Sequence, residues 1–119
     1  MIRHIVFFTV PDATHLTAVH EGLMTLADIP HARHFEVGHN LHADRLTGTE
    51  VDFVVYAEFT DEAALEAYKA HPIYQRAIDI VKPMRELRIA ADVAAAEPQS
   101  LDEITPVLNP PILSSPNNR

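Results

Sequence analysis

The chain of 119 residues contains no cysteine, which removes disulfides and thiolate chemistry together. It has no run of apolar residues long enough to span a bilayer. The opening Met1-Ile2-Arg3-His4-Ile5-Val6-Phe7-Phe8 is too short for that and is followed by no small-residue cleavage site. It reads as a strand, and a cytoplasmic setting with no membrane partner is the expectation. Positive charge is also scarce: nine Lys and Arg against seventeen Asp and Glu leave a net charge of −8 with histidines neutral. A phosphate backbone would be repelled, so nucleic acid is not an expected partner. No internal repeat interrupts the chain. Its length fits one domain, marginal in size unless a partner helps to bury its surface.

What is present is apolar patterning and histidine. Residues 2–10 are rich in β-branched and aromatic side chains and predict a first strand. Val6, Phe8 and Val10 alternate with Ile5 and Phe7, so both faces of that strand are apolar and both call for cover. Asp12 or Thr14 caps a predicted helix reaching to about Ala27, with Leu16, Val19, Leu23 and Leu26 as its apolar stripe. Residues 33–41 alternate as a second strand, and 51–59 form a third after a polar turn around Gly48. Thr60 or Asp61 opens a second helix bearing Ala64, Leu65 and Tyr68, which Pro72 breaks after His71. A short helix over 73–82 and a strand over 85–93 complete the series.

The order β-α-β-β-α-β is the split βαβ arrangement. The fold class expected is therefore α+β and ferredoxin-like, a four-stranded antiparallel sheet with helices on one face. The other apolar face calls for a second copy of the same sheet, so the chain is its own expected partner, a homodimer closing an α/β barrel. The domain covers 1–94. Residues 95–119 hold Pro98, Pro106, Pro110, Pro111 and Pro116 and predict a tail, extended or partly disordered. Leu101, Ile104, Val107 and Leu108 give that tail enough apolar character for part of it to lie along its own body or a neighbour.

Eight histidines invite a metal reading, and the strand pattern argues against one. His34 and His39 are an odd number apart and face opposite sides, and the chain contains no His-x-His pair. No metal site and no cofactor is expected.

Three stretches resemble the stress-responsive A/B barrel family, or Dabb domain. They are Ile2-Arg3-His4-Ile5-Val6, Phe35-Glu36-Val37-Gly38, and Ala64 through Pro72 with its Tyr-x-x-His-Pro element. The resemblance spans about residues 1–94 and implies the same ferredoxin-like fold and sheet-to-sheet dimer. Against a plant polyketide cyclase of the family, His4, Tyr68 and His71 match pocket positions. Tyr74 stands where that cyclase has its catalytic histidine, and Phe53 where it has another pocket histidine. The resemblance thus implies a small apolar or carbonyl ligand. It also suggests His4, Tyr68, His71 and Tyr74 as candidate catalytic residues for acid–base chemistry on a polyketide-like compound, with His4 or His71 as base and Tyr68 or Tyr74 as oxyanion partner. The competing structural reading has His71 fixing a helix end and Tyr68 serving as core. Two other functions share the fold: a non-catalytic stress-associated scaffold, and a cofactor-independent monooxygenase. Haem-binding relatives share it too, but the sequence offers no axial-ligand context and no tryptophan.

Overall fold

The computed structural model describes residues 1–44, 48 and 50–95. The proline-rich segment expected to be a tail lies outside the described residues from 96 onward. Four strands form one sheet: β1 (Ile2–Phe8), β2 (His34–His39), β3 (Phe53–Phe59) and β4 (Arg88–Ala94). They lie in the order β2-β3-β1-β4, each antiparallel to its neighbour. This is the ferredoxin-like topology expected from the order of elements.

The strands depart from their expected spans at one or both ends, where side chains join the backbone in bonding. Thr9 Oγ1 accepts from Leu87 N at 2.8 Å. Asp52 Oδ2 accepts from Val10 N at 2.7 Å, and Asn40 Nδ2 donates to Val51 O at 2.7 Å. Strand four accordingly begins at Arg88 rather than 85.

The helices are α1 (Leu16–Met24), α2 (Glu62–Ala70) and α3 (Pro72–Val81). Helix α1 is not the continuous run to Ala27 that its stripe predicts. It is flanked by 3-10 turns over Ala13–His15 and Thr25–Asp28, with the Asp12 carboxylate accepting from Thr14 N. Asp61 caps α2 through Ala64 N, and Pro72 occupies the first turn of α3, where its missing N–H costs nothing.

All three helices pack on the same side of the sheet. His4, Val6 and Phe8 of β1 point toward them, with Phe53, Val55, Ala57 and Phe59 of β3, and these side chains are buried. Val19, Leu23, Leu65, Tyr68, Ala77 and Val81 meet them from the helices. Among the described residues the opposite face is open: Phe7 is 37 % exposed, Ile89 52 % and Val93 45 %. Register puts Ile5, Phe7, Tyr56, Val54, Ile89 and Ala91 side by side there. His34 lies on this open face against Tyr56, while His39 meets Phe53 edge-on on the helical side, as the odd spacing requires.

Among the described residues no helix is long and apolar enough to cross a membrane.

Candidate active site

A cavity of about 270 Å³ lies between α3 and the sheet, floored by Val6, Phe8 and Val55 and walled by Leu23, Ala77 and Val81. Three of the four residues singled out in the sequence line it: His4 from β1, Tyr68 from α2 and Tyr74 from α3.

Strand alternation aims His4 at the helices between the apolar neighbours Ile2 and Val6, and it is only 2 % exposed. A buried imidazole needs a polar partner. Register supplies one, because residue 92 of β4 lies opposite His4. Asp92 Oδ1 sits 2.5 Å from His4 Nδ1, and Lys69 Nζ donates to Asp92 Oδ2 at 3.1 Å. Burial alone would raise the Asp92 carboxyl. The hydrogen bonds from His4 and Lys69 outweigh that, and the group is held below the ordinary aspartate value. An ionised carboxylate only accepts, so Nδ1 of His4 carries the proton and Nε2 keeps its lone pair. Burial also lowers the His4 pKa below 6.5, against the opposing pull of Asp92, with small further lowering from Lys69 and Arg88. At neutral pH His4 is therefore an uncharged base of fixed tautomer.

Tyr68 is wholly buried, and its hydroxyl has no hydrogen-bond partner among the described residues. Its ring meets His4 edge-on at 5.8 Å between centroids and Tyr74 at 5.3 Å. Burial pushes its pKa well above the usual phenol value, with the neighbouring Tyr74 adding to the rise. It is a donor, not a phenolate. The Tyr74 hydroxyl accepts from Arg88 Nη2 at 3.3 Å, at the outer end of the cavity.

His71 does not join this group. Its Nδ1 accepts from Ile73 N at 3.1 Å, capping α3, and its ring packs edge-on to His31 rather than lining the cavity. The residue before a proline is driven out of the helical region. Here φ is −70° and ψ 141°, so Tyr68 and Tyr74 stand on separate helices with His71 between them.

Sequence reading passed over Asp92, Lys69 and Arg88. Arg88, Ala90 and Asp92 share one face of β4, and the β1–β4 register decides whose side chains that face meets.

Elsewhere His20 stacks on His39 at 4.9 Å, and His42 bonds to Glu50. Among the described residues no three ligand-type side chains are grouped to hold a metal ion.

The family profile described as the stress responsive A/B barrel domain matches residues 2–95. The chain belongs to the Dabb family. A dimeric ferredoxin-like protein of unknown function from Thermobifida fusca is 32 % identical, with a TM-score of 0.66 over 79 % of this chain and 90 % of that one. A Dabb family protein from Mesorhizobium loti is 26 % identical, with a TM-score of 0.66 over 81 % and 97 %. An antibiotic biosynthesis monooxygenase is 15 % identical, with a TM-score of 0.64 over 82 % and 100 %, a likeness of fold alone. No curated protein matches the chain.

Proposed function

We propose that this Dabb-domain protein binds a small carbonyl compound between α3 and the sheet and moves a proton to and from the carbon beside its carbonyl. The observation that carries this reading is the Tyr68 hydroxyl, wholly buried beside His4 and paired with nothing in the described protein. A buried donor without a partner costs about 1–3 kcal/mol. A ligand oxygen seated against Tyr68 recovers that cost.

His4 Nε2 takes the proton from the carbon acid, and Asp92 steadies the imidazolium that forms. The Tyr68 hydroxyl donates to the enolate oxygen, where negative charge develops in a site shielded from water. Return of the proton from His4, to carbon or to a neighbouring carbonyl oxygen, closes the cycle. Tyr74 orients Arg88 at the outer end. His71 has a structural part, as the cap of α3. The base differs from that of the plant cyclase, whose catalytic position is Tyr74 here.

We further propose that the open sheet face pairs with a second copy. Its support is the apolar strip through Phe7, Ile89 and Val93, together with the Thermobifida fusca relative, which is described as dimeric.

The test is deuterium exchange at the α-carbon of 2-nonanone in D₂O, followed by proton NMR. The wild-type protein is expected to exceed buffer, and His4→Ala to lose about 100-fold of the enhancement, in line with general-base catalysis. Because His4 is active when neutral and its pKa lies below 6.5, the rate should hold through neutral pH and fall only in more acid solution. Exchange no faster than buffer, or a His4→Ala variant as fast as wild type, sinks the acid–base reading and leaves a binding scaffold.

A further inference from the structure

In a chain whose acids outnumber its bases seventeen to nine, the outer end of the cavity carries Lys82, Arg85 and Arg88, and no Asp or Glu among the described residues lines it. None of the three cations makes an ion pair among the described residues. Lys82 alone has a ready structural explanation, since it stands at the C-terminal end of α3, where positive charge complements the helix dipole. That explanation does not reach Arg88, which comes from β4. Arg88 lies opposite Phe8, on the face the helices cover, and its exposed guanidinium donates to the Tyr74 hydroxyl at the rim of the cavity. Its charge is also felt at both His4 and Tyr68.

The two polar ends of the cavity are set apart by the strand itself. Arg88 lies opposite Phe8, and His4 is four residues from Phe8 on β1, about 13 Å along an extended chain. Between them the floor is Val6, Phe8 and Val55. The cavity is therefore polar and neutral at one end, apolar along its length, and cationic at the other.

Building on the reading of this cavity as a small-molecule site, we infer that its ligand is an amphipathic anion, with an oxyanion head held by Arg85, Arg88 and Lys82 and an apolar body running toward His4 and Tyr68. Guanidinium forks suit carboxylate and phosphate oxygens alike. A positive mouth on an otherwise negative protein also selects such ligands from solution, since the rest of the surface repels them.

The inference is tested by isothermal titration calorimetry on the full chain at about 50 mM salt. Four probes share one tail: octanoate, octyl phosphate, 1-octanol and octyltrimethylammonium. At least one of the two anions is expected to bind tenfold or more tightly than 1-octanol, to weaken as salt screens the mouth, and to lose that advantage in Arg85→Gln/Arg88→Gln. The anion that binds better names the head group. In the double variant, affinity for 1-octanol should be unchanged, which shows that the apolar part of the cavity is intact. Octanol or the ammonium probe binding as tightly as both anions overturns the inference, as does an anion preference that survives the double substitution. Failure of all four probes to bind removes the small-molecule site along with it. Anion preference without 2-nonanone exchange rejects only the acid–base step and leaves the ligand class standing.

Discussion

Among the described residues, the hydroxyl of Tyr68 is the one buried side-chain polar atom with no hydrogen-bond partner. Removing it should therefore help folding while harming function. Tyr68→Phe is expected to raise stability by about 1 kcal/mol in urea denaturation, while slowing ketone exchange. A loss of stability instead would mean that the hydroxyl is satisfied in solution and is not held for a ligand. His4 is the complementary case, a polar group whose cost is met by Asp92. His4 and Tyr68 were legible in the sequence because strand alternation and the apolar helix stripe place them inside. Asp92 was not, since its role depends on which strand lies beside it. His71 is the reverse case: Pro72 ends α2 there, and the ring caps α3 instead of lining the cavity.

Among the elements, α1 packs tightly on α3 at Gly22. A methyl group added there would lie 2.8 Å from Ile80 Cγ2 and 3.1 Å from Val81 Cγ2. Both neighbours are β-branched and stiff at χ1, so the helices rather than the side chains must give way. Gly22→Ala is expected to cost about 1–3 kcal/mol in thermal or urea unfolding, as overpacking does. Because Val81 also walls the cavity, octanoate binding should weaken in the same variant. An unchanged melting temperature would show that α1 is free to move away from α3. The elements themselves were readable from their apolar periods and caps. Their ends were not, because Thr9, Asn40 and Asp52 replace ladder hydrogen bonds with side-chain ones, and the apolar pattern is blind to that exchange.

For the molecule as a whole, the two-faced first strand was the most informative stretch of sequence, because its second face has no cover among the described residues. Phe7→Lys combined with Ile89→Lys puts charge at the centre of that face. Wild type is expected to elute as a dimer in size-exclusion chromatography with light scattering, and the double variant as a monomer. A dimer that persists would place the contact elsewhere on the surface.

The sheet order puts β4 at an outer edge, hydrogen-bonded to β1 alone, and on that strand sit both Asp92 and Arg88. Strands with a single neighbour open by local fraying at less free energy than the whole domain needs to unfold. Each such opening would detach the carboxylate from His4 and the guanidinium from Tyr74 in one motion. The competent fraction of the protein is thus set by how often its outermost strand lets go. Warming would switch the site off through partial opening, well before the core of the domain melts.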